Sequence, residues 1–385
     1  MFKIAALNKI SQKGTEKFTN QYSLTDDLGA ADGILVRSQD MNASVLSEAL
    51  LAIARAGAGV NNIPVDACSK QGIVVFNTPG ANANAVKELV LTGLLLSARD
   101  VAGAIAWTKT LKADVAKTVE KQKSQFSGHE IQGKTLVVIG LGAIGVMVAN
   151  SASDLGMHVI GYDPYMSLQS AHELSRSVRF CENLETCLPQ CDYITIHIPF
   201  MEATKGLIGK KQFDLMKKGV CILNFSRDQI VEDDDILAAL SAGKVRQYVT
   251  DFPSEKLIHQ AGVICIPHLG ASTKESEDNC AIMAVEQMMD YLENGNIKNS
   301  VNFPDCFLGI CSTQGRIAVL NKNIPAMLGK ITGIMADMNI NISDLNNRSK
   351  GEYAYTLLDV DSKVDADALK KALRVEGIIA VRIIK

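Results

Sequence analysis

Aromatic residues make up only 5% of the 385 residues, with a single tryptophan, and prolines number nine. A β-sandwich built on large aromatic anchors is poorly served by such a supply. Long apolar runs are also missing. The nearest approach, Leu89 to Leu96, is short and carries Thr92 and Gly93, whereas a membrane helix needs about 18 apolar residues or more. The opening stretch Met1 to Lys9 has no apolar signal core. No membrane association is therefore expected. Neither sign of charge dominates: 39 Lys and Arg face 42 Asp and Glu, a net charge of −3. A nucleic-acid partner usually demands a basic excess, so none is expected. A disulfide framework is lacking too. The nine cysteines are odd in number and dispersed, and Cys221 and Cys265 lie within apolar strand-like runs, where a reduced thiol is a small hydrophobe. That usage suits a reducing, cytoplasmic setting. Cys181, Cys187 and Cys191 form no C-x-x-C pair and enclose no histidine, so no metal site is expected.

Glycine, by contrast, is plentiful at 29 residues, and 47% of the chain is apolar against 21% charged. This is the balance of a folded globular protein, long enough for two or three domains. The patterning is α/β. Gly33 to Val36 and Gly72 to Phe76 read as strands, Ser47 to Ala56 as a helix, and Asn84 to about Lys109 as one long helix with a weak point at Gly103. A second series begins near Gly133. Its candidate strands are Leu136 to Ile139, His158 to Gly161, Tyr193 to Ile198, Val220 to Asn224, Tyr248 to Asp251 and Val263 to Ile266. Strands separated by helices at this spacing make a doubly wound parallel sheet. Thr273 to Asn294 reads as a long returning helix. From Gly315 to Lys385 the order strand, helix, strand, strand, helix, strand is the βαββαβ pattern of a ferredoxin-like domain.

The strongest local signal is Val137-Val138-Ile139-Gly140-Leu141-Gly142-Ala143-Ile144-Gly145. It follows an apolar strand, opens a helix, and is followed by a second strand ending at Asp163, 18 residues beyond Gly145. In a dinucleotide site, Gly140 permits the tight turn and Gly142 lets the backbone approach a pyrophosphate. Gly145 allows close helix–sheet packing. The unpaired amides of the first helical turn, at Ala143 and Ile144, then face the phosphates. Asp163 would accept from the adenosine ribose and repel a 2′-phosphate, which favours NAD over NADP.

In such a sheet, chemistry sits beyond the carboxyl ends of the strands. Arg227, Glu255 and His268 stand there. His268 suits a base that takes a hydroxyl proton. Glu255 is the candidate carboxylate to orient its ring, and Arg227 could hold a substrate carboxylate in bidentate fashion. Asp251 falls on the nicotinamide side, and His197, ending a strand, either lines the cofactor crevice or is a buried structural histidine. Each has a plainer alternative: His268 as a strand-end cap, Arg227 paired with Asp228, Glu255 solvated beside Lys256.

At these residues the chain resembles the D-isomer-specific 2-hydroxyacid dehydrogenases, in the form that carries a C-terminal ACT domain. The matching pieces are Val36-Arg37-Ser38, Arg55-Ala56-Gly57-Ala58-Gly59-Val60-Asn61-Asn62-Ile63, Asn77-Thr78-Pro79-Gly80, the glycine turn, Asn224 to Val231, and Pro267-His268-Leu269-Gly270-Ala271-Ser272-Thr273. The resemblance implies a flavodoxin-like substrate domain (1–98 and 285–302), a Rossmann NAD domain (99–284), a linker (303–314) and an ACT-like regulatory domain (315–385). It implies Arg227, Glu255 and His268 as catalytic, and Arg37, Ser38, Asn61 and Asn62 as substrate contacts, Arg37 on a substrate phosphate. Thr78, the glycine turn, Asp163, His197 and Asp251 would contact NAD. The implied reaction is oxidation of 3-phospho-D-glycerate at the entry to serine biosynthesis. The alternative is another D-2-hydroxy acid such as glycerate. A homodimer or homotetramer is implied as well. Serine is the implied effector, at Asn321, Asn323 and Asn341. The chain departs from the family pattern at Asp228 (usually Gly), Lys256 (usually Pro) and Asn61 (often Asp). It departs also in a Glu255–His268 spacing of only 13 residues, and in Asn321 and Ala326, where serine-sensitive members carry His and Gly.

Overall fold

The computed structural model describes residues 1–385 and divides into two compact units, Met1–Asn82 with Lys274–Lys385, and Ala83–Thr273. The first unit opens with strands β1 (Phe2–Leu7), β2 (Tyr22–Thr25), β3 (Gly33–Val36), β4 (Ala52–Arg55) and β5 (Val74–Phe76). They form one parallel sheet in the order β2-β1-β3-β4-β5, the flavodoxin-like arrangement. The strands β3, β4 and β5 are buried almost throughout, as parallel strands covered on both faces must be.

The expected helix over Ser47 to Ala56 is replaced by a loop and β4. Its Ala-Ile-Ala-Arg sequence has good helix propensity, but the segment lies between β3 and β5, and the gain from pairing and two-sided burial overrides a weak local preference.

The second unit contains β6 (Thr135–Ile139), β7 (His158–Tyr162), β8 (Arg179–Phe180), β9 (Tyr193–Ile196), β10 (Val220–Asn224), β11 (Val245–Thr250) and β12 (Val263–Cys265). All are parallel, in the order β8-β7-β6-β9-β10-β11-β12. The order reverses between β6 and β9, the switch point where doubly wound sheets open a crevice. The expected long helix after Asn84 is two helices, Ala83–Ala98 and Val101–Thr108, bent by 70°. The break falls at Arg99–Asp100 rather than at Gly103, because the Asp100 side chain accepts from Gly103 N at 2.9 Å and caps a new helix start.

The division between units also differs from the expected limits at 98 and 284. Val86, Val90, Leu94 and Ala98 share a core with Val138, Leu223 and Val249, so their helix belongs with the second sheet. The helix Lys274–Asn294 buries Cys280, Ala284, Val285 and Met288 with Ile4, Leu35 and Ala54, so it belongs wholly with the first.

The last four strands, β13 (Gly315–Lys322), β14 (Ile342–Lys350), β15 (Tyr353–Val360) and β16 (Ile378–Ile383), make an antiparallel sheet in the order β14-β15-β13-β16. With helices Met327–Asp337 and Ala366–Ala372 this is the ferredoxin-like pattern. The sheet is not loosely tethered. Leu320, Tyr355 and Leu357 share one core with Phe76, Tyr291 and Phe303 of the same unit. Phe303 and Cys306, within the expected linker, are buried. At the junction Arg316 is fully buried. Its guanidinium grips Asp359 through Nε and Nη2 and donates to the carbonyls of Asn294, Leu308 and Gly309.

Removing one partner of a buried pair leaves an uncompensated charge. Asp359→Asn is therefore expected to destabilise the first unit by about 3–5 kcal/mol, read as a lower denaturation midpoint. A midpoint equal to wild type would contradict this role.

Candidate active site

One line of backbone register crosses the second sheet: Tyr162, Ile139, Ile196, Asn224, Thr250 and Cys265 are paired neighbours in turn. Six candidate residues of this unit lie one to three positions beyond that line. They are Asp163, Gly140, His197, Arg227, Asp251 and His268. The parallel fold thus gathers residues scattered over more than a hundred positions onto one sheet edge.

The glycine turn is held by sterics. A Cβ on Gly140, whose φ is +91°, would stand 2.4 Å from the His197 carbonyl oxygen, and one on Gly145 would stand 1.8 Å from the Gly140 carbonyl oxygen. Neither position accepts any other residue. Gly142 is different: nothing in the chain lies within 4 Å of a Cβ placed there. Its smallness serves no internal packing, and an open cradle at the start of the helix Ala143–Asp154 suits the approach of a pyrophosphate. The Asp163 carboxylate closes the turn, accepting from Leu141 N and Tyr165 N, both at 2.8 Å.

Among the buried polar atoms that lack a hydrogen-bond partner within the chain, two belong to residues assigned to the cofactor. They are Nδ1 of His197 and Oγ1 of Thr78, the latter in the first unit. His197 Nε2 is engaged by Thr195 Oγ1 at 2.9 Å. Burial pushes this imidazole down to about 3, so it is neutral. Within the second unit, the unpartnered His197 Nδ1 and the Gly142 cradle are what a dinucleotide's polar groups would satisfy.

Arg227 is exposed beyond β10, with Nη1 donating to Ser226 O at 2.6 Å, and it forms no ion pair with Asp228. Its backbone is fixed by Asn224 Nδ2, which donates to Arg227 O at 2.8 Å. His268 is exposed, its backbone in the left-handed region at φ +53°, and its ring meets Phe252 edge-on with centroids 5.0 Å apart. A bulky residue holds this conformation only where its surroundings impose it. Asp251 supplies the constraint. Its carbonyl accepts from His268 N, while Oδ1 and Oδ2 accept from Leu269 N at 2.8 Å and Gly270 N at 2.7 Å. Burial pushes the Asp251 carboxyl up, opposed by those amides and by the nearby imidazole. The expected Glu255–His268 pair is not formed. Glu255 is exposed. Asp251, read from sequence only as a cofactor contact, holds the histidine loop instead.

In the first unit, β1, β3 and β4 end at one level, with Leu7 opposite Val36 and Val36 opposite Arg55. Arg37 lies just beyond. It is bound to Glu277, Nη2 to Oε1 at 2.8 Å, both half-exposed, so the cation expected to be open to substrate has an internal counterion. Asn62 knits the edge together, its Nδ2 donating to Gln39 O at 2.7 Å and its Oδ1 accepting from Arg55 Nε at 3.1 Å. Ser38 N donates to Asn8 Oδ1, and Asn61 offers its carbonyl to Asn42 Nδ2. Arg55 is the residue that the sequence reading passed over. Its position at the end of β4, with Gly57 leaving room for its guanidinium, is visible only once β4 is recognised as a strand.

The three asparagines assigned to an effector are all engaged internally. Asn321 Nδ2 donates to Lys322 O and Asn323 Nδ2 to Gly351 O. Asn341 Nδ2 donates to Asp361 Oδ2. Asn321 Oδ1 is buried without a donor. Ala326 takes φ +65°, a conformation that glycine adopts freely.

A doubly wound sheet with this glycine turn, an acid closing it and a strand-edge histidine and arginine defines an NAD-binding oxidoreductase. Residues 91–270 match the family described as D-isomer specific 2-hydroxyacid dehydrogenase, NAD binding domain. The chain is 31% identical over 386 residues to the D-3-phosphoglycerate dehydrogenase of Methanocaldococcus jannaschii, covering 97% of this chain and 70% of that one. It is 31% identical over 337 residues to the D-3-phosphoglycerate dehydrogenase of Haemophilus influenzae, covering 85% and 79%. Among solved structures it resembles NAD+-bound 3-phosphoglycerate dehydrogenase of Entamoeba histolytica, with a TM-score of 0.62, 25% identity, and coverage of 78% of this chain and 98% of that one. The chain belongs to the D-isomer-specific 2-hydroxyacid dehydrogenase family.

The neutral His197 has a consequence for stability. Its folded pKa lies below the unfolded value near 6.5, so the unfolded chain binds more protons at acid pH. Its share of stability is complete above about pH 6.5 and is lost as pH falls toward about 3. Urea midpoints are expected to drop between pH 7 and pH 5, and to drop less in His197→Gln. Equal drops in the two proteins would show that His197 is charged in the folded state.

Proposed function

We propose that the protein oxidises 3-phospho-D-glycerate to 3-phosphohydroxypyruvate with NAD, in a cytoplasmic setting. The observation that carries this reading is the gathering of Arg227 and His268 on the carboxyl edge of the dinucleotide sheet, beside the glycine turn. NAD, when bound, supplies the hydride acceptor. Gly140 makes the turn, its own amide donating to Tyr162 O, Gly142, Ala143, Ile144 and Gly145 present backbone amides to the phosphates, Asp163 takes the ribose hydroxyls, and His197 and Thr78 offer their unpartnered atoms. His268 Nε2 or Nδ1 accepts the proton of the substrate hydroxyl as the C–H bond breaks, and Arg227 holds the carboxylate beside it. Asp251 is a positioning residue that keeps the histidine loop in its strained conformation. Glu255 keeps a supporting role only if substrate draws its loop inward.

The phosphate is assigned to the first unit. Arg37 and Arg55 stand at the ends of adjacent strands, Arg37 released from Glu277 as a dianion replaces the carboxylate. Ser38, Asn61 and Asn62 shape the same edge. Relatives bearing the phosphoglycerate dehydrogenase name align along most of the chain, which supports this substrate over unphosphorylated glycerate.

A panel of D-2-hydroxy acids followed by NADH absorbance tests the reading. His268→Ala is expected to lower kcat by about 10²- to 10⁴-fold. Arg37→Ala is expected to raise KM for the phosphorylated acid by about 10- to 100-fold, the worth of one charge-assisted contact, leaving that for D-glycerate unchanged. Equal losses on both acids would remove the phosphate role. The same panel with serine present tests the effector role of the C-terminal sheet, where lower velocity is the supporting result and unchanged velocity rejects it.

A homo-oligomer is part of the reading. The helix Val101–Thr108 buries no residue, yet its sequence is apolar and Val101 and Ile105 are 44% and 53% exposed. Such a face needs covering, and a second copy of the same helix serves. Sedimentation velocity is expected to show a dimer or tetramer that Ile105→Glu dissociates; an oligomer indifferent to this charge would exclude the helix from the interface.

A further inference from the structure

The three cysteines at 181, 187 and 191 look incidental in sequence, but two of them are brought together beside the cofactor edge. Cys181 directly follows β8, and its N–H donates to Gly161 O of β7 at 2.9 Å. The short helix Leu184–Cys187 then folds back. Cys181 Sγ and Cys187 Sγ both reach Asn183 O, at 3.1 and 3.7 Å, with Cys187 closer still to Leu184 O at 3.1 Å, which sets the two sulfurs near one another. Cys181 is half-buried and also contacts Thr186 Oγ1 at 3.2 Å, whereas Cys187 is fully buried. Cys191 is buried too, with its thiol turned to Leu188 O at 2.9 Å.

The two thiols differ in character. Burial alone would push the Cys181 thiol up, but Thr186, Cys187, Asn183 and Arg179 outweigh it and hold this thiol below its ordinary value. Burial pushes Cys187 up to about 12. A reachable thiol with enhanced thiolate character beside a protonated partner is the arrangement of an attacking and a resolving cysteine. Cys187 belongs to the core on which Cys181 and Tyr162 both pack, and burial raises the Tyr162 phenol. Tyr162 immediately precedes Asp163, the residue assigned to the ribose.

We propose that Cys181 and Cys187 are an oxidation site that lowers NAD affinity when they join. The Cys181 thiolate attacks one oxygen of a peroxide, the O–O bond breaks, and hydroxide leaves, giving a sulfenic acid. Cys187 sulfur then attacks the sulfenic sulfur, the S–O bond breaks, and the Cys187 proton leaves with that oxygen as water. In sum two thiols lose two electrons to one peroxide, which becomes two waters. Joining draws Cys187 out of the core it shares with Ile160 and Ile194 and shifts Tyr162, which packs on that core. The affinity part of the proposal rests on the NAD site described above.

The whole protein is treated with hydrogen peroxide, mapped by mass spectrometry without reductant, and titrated with NADH by fluorescence. The tryptic peptide Phe180–Lys205 carries all three cysteines. In wild type it is expected to lose two hydrogens in mass, with fragments joining Cys181 to Cys187. The NADH Kd is expected to rise about tenfold, or about 1.4 kcal/mol, and both changes are reversed by dithiothreitol. Cys181→Ser and Cys187→Ala are expected to bind NADH as untreated wild type does, before and after peroxide, while Cys191→Ala responds like wild type. Joining through Cys191, a Cys181 sulfonic acid beside a free Cys187, or a joined protein with unaltered Kd each overturns the proposal. Untreated protein that fails to bind NADH rejects the cofactor reading separately, and the peptide map still decides the thiol pair.

Discussion

The close approach of three backbone segments at the end of β6 is the constraint on which the dinucleotide unit depends. The Gly140 carbonyl presses on the α-carbon of Gly145, and the His197 carbonyl presses on that of Gly140. Because no Cβ intervenes, the helix Ala143–Asp154 begins almost at the strand end, and its free amides open onto the crevice between β6 and β9. Widening this contact by one methyl group would tilt the helix and detach Leu141 from Asp163.

In the first unit the corresponding constraint is electrostatic. Arg316 has no access to water, and its donors are satisfied by one carboxylate and three carbonyls drawn from the helix end, the connecting segment and β15. The arrangement fixes the antiparallel sheet to the helix Lys274–Asn294. The same helix carries Glu277, the counterion of Arg37. A ligand at the C-terminal sheet would therefore act on a body whose core is continuous with that of the parallel sheet. In the proposed function, a chain with a net charge of −3 meets an anionic substrate with a few arginines at strand ends rather than with a basic surface.

Much of the architecture was legible because its signals are local. Apolar runs with turn residues marked β6, β7, β9, β10, β11 and β12, and the βαββαβ order from Gly315 was readable directly. The four-residue β2 is half-polar and gives no apolar run, β1 mixes a lysine with alanines of low strand propensity, and β4 reads as a helix because Ala and Leu favour helices when sheet neighbours are unseen. The bend at Asp100 depends on a single side chain choosing Gly103 N, a choice that periodicity does not reveal. For the candidate site, residue types and strand-end positions point to His268 and Arg227. Asp251 in its holding role, Arg55 at the end of β4 and the Cys181–Cys187 pair were hidden, since each depends on which backbone atoms lie opposite.

By itself the sequence determined the chemistry available: a glycine turn with an acid after the next strand, a histidine after Ile266-Pro267, an arginine after Asn224, and a separable C-terminal pattern. These are written in residue type and spacing, which local sterics and hydrogen-bonding capacity translate directly. Only the tertiary structure decided which carboxylate serves which partner. Glu255 and Asp251 are four residues apart and chemically alike, yet one faces solvent and the other is buried against two amides. The difference arises from loop length and sheet register, and those are settled by packing across the whole unit rather than by any short stretch of chain.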